Sequence, residues 1–126
     1  MRLVVIESPY AGDREKNVRY AKACMLDSLK RGEAPYASHL LYTQVLEDSV
    51  LEERLQGMYA GFAWGVKADL VAVYTDLGTS EGMKAGIERA INFGQIVVYR
   101  QLNWCEEKSI NLQQKLTNLG NEELDQ

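Results

Sequence analysis

The chain has 126 residues, with 14 Lys and Arg against 18 Asp and Glu and a formal charge of −4. A chain of that length sustains one domain with its own core, and 46% apolar with 25% charged residues excludes wholesale disorder. A single histidine and two well-separated cysteines exclude multi-histidine metal centres, paired-cysteine metal motifs and a disulfide framework, and the acidic balance argues against a general nucleic-acid coat.

The first element is the short β-branched run Leu3 to Ile6, which reads as a buried strand. Pro9 and Gly12 mark the loop that follows it. From Arg14 the apolar residues recur at helical steps (Val18, Ala21, Cys24, Met25, Leu29), and Lys30, Arg31 and Gly32 form a stop signal. Pro35 to Leu41 reads as a second strand, with Pro35 at its start where a missing N–H is tolerated.

Tyr42 to Ser49 reads as polar connection with a short helical turn, and Val50 to Lys67 as a helix carrying Leu51, Leu55, Met58, Phe62 and Val66 on one stripe. Leu70 to Tyr74 is the clearest buried strand, Glu81 to Phe93 a helix stopped by Gly94, and Ile96 to Tyr99 a last strand. This alternation predicts an α/β fold: a Rossmann-like, doubly wound parallel sheet of about four to five strands with flanking helices. The domain spans residues 1–102, and residues 103–126 are expected to form a helical extension with a frayed end. No apolar run approaches membrane-spanning length, and the unpaired cysteines point to a reducing cytoplasmic setting.

In an open parallel sheet, ligands bind outside the carboxyl ends of the strands. Those ends are residues 7–13, 39–44 and 75–81, so one site built from three loops is expected. The first loop runs Ser8-Pro9-Tyr10-Ala11-Gly12-Asp13 straight into a helix, whose free N–H groups and positive dipole end suit a phosphate or carboxylate. Ser8 adds a hydroxyl and Tyr10 a stacking face, while Asp13 is placed to cap the helix. The third loop repeats the arrangement with Asp76, Gly78, Thr79, Ser80, Glu81, Gly82 and Met83. His39 stands among Ser38, Tyr42 and Gln44 as a candidate ligand contact. The lysine-containing phosphate loop and the three-glycine dinucleotide fingerprint are both missing. No metal or cofactor is called for.

Strand-Ser8-Pro9-Tyr10, then Asp76-x-Gly78-Thr79 and a helix leading to a final strand, resembles the nucleoside 2-deoxyribosyltransferase-like superfamily. Ser38-His39-Leu40-Leu41-Tyr42 and Ser80-Glu81-Gly82-Met83-Lys84 resemble small bacterial and phage domains within it. The resemblance covers residues 1–100 and implies a site for a nucleoside or nucleotide. It assigns Ser8 and Tyr10 of the first loop, and Asp76, Gly78 and Thr79 of the third, to that ligand. In the enzymes of that superfamily a glutamate attacks the sugar carbon bearing the base.

The departure from the family pattern is at the nucleophile. The helix position that should carry glutamate is Gly86, and counting from Asp76 instead brings Glu81 within one residue of it. Two readings follow. One is a protein that binds a nucleoside phosphate or ADP-ribose-like molecule and sequesters it without turnover. The other is an N-glycoside hydrolase or deoxyribosyltransferase with Glu81 as nucleophile and Asp76 as sugar anchor.

Gly57, Gly61 and Gly65, four residues apart, form a smooth stripe on the long helix. Glycine costs about 1 kcal/mol relative to alanine within a helix, so a close contact is expected there. It is either packing on the sheet or, as the resemblance implies, a contact between subunits of a homo-oligomer. Neither a nucleic-acid polymer nor a membrane is an expected partner.

Overall fold

A computed structural model describes residues 1–106, 114–115 and 117–119. Four strands, β1 (Leu3–Glu7), β2 (Ala34–Tyr36), β3 (Leu70–Tyr74) and β4 (Ile96–Arg100), form one parallel sheet in the order β2-β1-β3-β4. Helices α1 (Arg14–Lys30), α2 (Ser38–Leu41), α3 (Leu51–Gly65) and α4 (Glu81–Asn92) connect them, with a 3₁₀ turn at Tyr42–Gln44. The expected fold class is what forms, with four strands.

The winding is double because the sheet grows from β1 to β2 on one side and, after the chain crosses back over β1, to β3 and β4 on the other. Tyr20 and Cys24 of α1 pack with Val4, Ile6, Leu70, Ala72 and Tyr74 on one face of the sheet. Met83 and Ala90 of α4 pack with Val5, Val71 and Val73 on the other. β3 is therefore buried along its whole length, which explains why its sequence is an unbroken apolar run. The strand order reverses between β1 and β3, and their carboxyl ends open a crevice there.

One expectation is corrected. The second strand stops at Tyr36, after only three pairings with β1, and Ser38–Leu41 turns into α2. At the sheet edge the short run has one neighbouring strand, and α2 gains more by packing against α3. The glycine stripe is filled from within the chain. A side chain at Gly61 would meet Ser38 of α2 at 2.8 Å, and one at Gly65 would meet Val5 and Arg89. Gly61 and Gly65 are buried, so at these two positions the stripe serves packing of α3 on its own domain. The expected helical extension falls largely outside the described residues.

Candidate functional site

Above the crevice lies a cleft of about 430 Å³. Its floor is Glu7 and Ser8 at the end of β1, one side is Ser38, His39 and Tyr42, and the opposite end is Ser80 to Met83 at the start of α4. Leu46, Gly57, Met58 and Phe62 supply an apolar wall, and Asp48, Glu53, Arg54 and Glu81 stand around it. An apolar wall beside a polar floor suits a heterocycle with a polar edge.

Local chemistry holds these parts in place. Asp13 caps α1 by accepting from the Lys16 amide, and Asn17 donates to the carbonyls of Tyr10 and Ala11, pinning the first loop over the helix start. Gly12 and Gly78 adopt φ of +100° and +83°, so each turns the backbone where a side chain would strain it. Ser80 caps α4 by accepting from the Met83 amide at 3.3 Å. Met83 itself is buried in the core with its sulfur against the Ser80 amide.

Ser8 Oγ and His39 Nε2 lie 2.7 Å apart, joining the first loop to α2. Loss of surrounding water lowers the His39 pKa to about 4, so the imidazole is neutral at physiological pH. Glu7 shows the opposite shift from the same cause. Desolvation raises its carboxyl pKa to about 8, against the weaker pull of the Arg89 guanidinium. The cleft floor therefore carries two titratable groups that are both held uncharged near neutral pH.

The expected site residues divide between two places. Ser8, Tyr10, His39, Ser80, Glu81, Gly82 and Met83 meet at the cleft. Pro9, Asp76 and Thr79 line a second, more open recess with Asp13, Lys16, Asn17 and Leu77. Only Ala11 and Ser80 line both. Gly12 and Gly78 shape turns and line neither.

The two acids singled out in the sequence have distinct surroundings. The Asp76 carboxylate accepts from Tyr20 Oη at 2.6 Å and from the amides of Leu102 and Trp104. Although burial opposes ionisation, these donors hold its pKa below the usual carboxylate range. Asp76 thus ties the segment after β4 to α1, where Trp104 packs edge-on to Tyr20. Glu81 stands at the cleft mouth, its side chain 92% exposed and paired with Lys84 at 3.2 Å.

Residues 2–100 match the family model described as a domain of unknown function, DUF7768. The chain belongs to this family. For this DUF7768 chain, comparison with curated proteins finds no significant match. Among solved structures, the Clostridium botulinum CMP N-glycosidase BcmB is similar at 12% identity and a TM-score of 0.48, over 82% of this chain and 75% of that one. A likeness this distant carries no inference about chemistry. Among the described residues of the DUF7768 chain, no cluster of three or more His, Cys, Asp or Glu is placed to hold a metal ion, and no helix is long and apolar enough to cross a membrane.

Sequence reasoning passed over Glu7. Two signals for it existed. β1 alternates, so a charged residue in register with Val5 must face α4, and glycine in the middle of that helix, at position 86, leaves room for it.

Proposed function

We propose that this DUF7768 chain binds a nucleoside or a nucleotide-derived small molecule in the cleft between β1, α2, α3 and the start of α4. The observation that carries this reading is the cleft itself. It lies at the strand-order reversal, with Tyr42, Met58 and Phe62 available to one face of a heterocycle and uncharged hydrogen-bonding groups at its edge. The motifs that resemble the nucleoside 2-deoxyribosyltransferase-like superfamily support it, because Ser8, Tyr10, His39 and Ser80 to Met83 all border this one space. Sequestration of such a molecule without turnover is the role that follows if no group in the cleft attacks the sugar.

The second reading is cleavage or transfer at the N-glycosidic bond. It draws support from Glu7, whose neutral carboxyl on the cleft floor is suited to giving a proton to a departing base, more than from Glu81, whose exposure leaves it solvated and paired with Lys84. Incubation with a panel of nucleosides, nucleotides and ADP-ribose derivatives, followed by equilibrium dialysis and chromatography, tests both. Saturable binding with the ligand recovered intact supports the first reading, and release of free base supports the second. Absence of binding to every panel member refutes both.

A further inference from the structure

Glu7 is the last residue of β1, on the side of the sheet that α4 covers. A β-carbon placed on Gly86 would overlap Oε1 of Glu7 and stand 2.6 Å from Cδ and 3.0 Å from Oε2. The carboxyl therefore fills the space in which a side chain at position 86 would begin. Gly86 is buried in the interior of α4 and has no positive φ to explain the absence of a side chain. A glycine there costs helix stability relative to alanine, and admitting the Glu7 carboxyl is what it achieves.

Among the described residues the Glu7 carboxyl makes no hydrogen bond or ion pair, although it is largely enclosed and lines the cleft. Arg89, one turn further along α4, attracts it only through space. The Arg89 guanidinium donates from Nη1 to Gln95 at 2.6 Å and lies over the Phe62 ring, while its buried Nε has no hydrogen-bond partner. A desolvated polar group without a partner inside a cavity is what a ligand would satisfy.

We infer that Glu7 is a specificity-determining group facing the ligand in this cleft, and that position 86 is glycine so that the Glu7 carboxyl can be seated there. This rests on reading the cleft as a nucleoside site. A protonated carboxyl presents one O–H donor beside one C=O acceptor. It matches a heterocycle edge with an acceptor and a donor in adjacent positions, such as a ring nitrogen beside an exocyclic amine. Once ionised, it offers acceptors only and repels the ligand's own acceptor. The charged and titratable groups that face it are Arg89 and Glu81 from α4, His39 from α2, Glu53 and Arg54 from α3, and Tyr10, Tyr42 and Asp48 from the loops. Replacing Glu7 alone separates its ionisation from theirs.

The test is calorimetric titration of the full chain with cytidine, adenosine, uridine, guanosine and their monophosphates, between about pH 6 and pH 9. Wild-type affinity for the nucleoside that binds is expected to fall as Glu7 ionises, approaching tenfold per pH unit above about pH 8. Glu7→Gln keeps a donor and an acceptor, so it should bind within about threefold at neutral pH and lose the alkaline fall. Glu7→Ala should lose about tenfold or more in affinity. Gly86→Ala displaces the end of a flexible side chain and should lose as much as Glu7→Ala while melting no lower than wild type. The double change Glu7→Ala with Gly86→Glu, which returns a carboxyl to the same space from the helix, should recover part of the loss. If wild type binds a nucleoside and Glu7→Ala and Gly86→Ala bind it equally, with unchanged pH profiles, the inference is overturned while the nucleoside reading stands. If wild type binds none of these probes, the nucleoside reading fails and takes the inference with it.

Discussion

Replacing Glu7 by glutamine isolates the effect of one carboxyl on folding stability. In the unfolded chain this group ionises near 4.5, and in the folded protein near 8, because the cleft floor strips water from it and Arg89 offsets only part of that cost. Across that window the folded state keeps a proton that the unfolded state has released. The stability associated with the neutral carboxyl is therefore full below about pH 4.5 and declines as pH rises towards about 8. At about 1.4 kcal/mol per pH unit, the loss reaches about 3 kcal/mol by pH 7 before screening. Water entering the open side of the cleft reduces this to about 2 kcal/mol. Glu7→Gln, which is neutral in both states, should be more stable than wild type by that amount at neutral pH, with the difference shrinking steadily towards pH 4.5. Urea titrations followed by tryptophan fluorescence, at one-unit steps from about pH 5 to about pH 8, measure the difference directly. Every other titration is shared by the two proteins and cancels. A stability difference that stays constant with pH, or shrinks as pH rises, would refute the assignment of a desolvated, neutral Glu7.

His39 has the opposite sign. Its folded pKa of about 4 lies below the usual 6.5, so its contribution is present above about pH 6.5 and lost as pH falls towards 4. His39→Gln should flatten that acid limb by about 2 kcal/mol in urea titrations. Asp76→Asn should cost about 1–3 kcal/mol, because the amide cannot accept from Tyr20 and two backbone amides together. It should also shift Trp104 fluorescence while leaving affinity in the cleft within about twofold, since Asp76 lines the other recess. A large affinity loss with stability intact would instead make Asp76 the ligand group expected from the sequence. Gly61→Ala places a β-carbon 2.8 Å from Ser38 and should push α2 outward, lowering stability by about 1–3 kcal/mol. Because His39 rides on α2, ligand affinity should fall with it, as paired melting and dialysis measurements would show.

The elements were readable wherever local chemistry and burial agree. Val-rich β1 and β3, the capped starts of α1 and α4 and the stops at Gly32 and Gly94 each carry their signal within a few residues. The exception was Pro35 to Leu41, whose strand-like composition persists past the point where pairing with β1 ends. Nothing local marks Tyr36 as the last paired residue, because that limit depends on α2 docking against Gly61 of α3.

The site was legible in part. Ser8, Tyr10, His39 and Ser80 to Met83 were placed together by the rule that sites form at strand ends, and they border one cleft. Asp76 shares the same loop as Ser80, yet its carboxylate turns towards Tyr20 and the segment after β4, a direction that sequence spacing does not carry. The glycine stripe of α3 announced a close contact without naming what fills it.

By itself, then, the sequence determined the order of strands and helices and the end of the sheet at which a ligand would sit, because these follow from short-range periodicity and the right-handed crossover. Only the tertiary structure decided which carboxyl lies on the floor of the cleft there. Glu7 and Gly86 lie far apart in the chain, and neither is informative alone. Their meaning is one shared volume between β1 and α4, and volume is a property of packing.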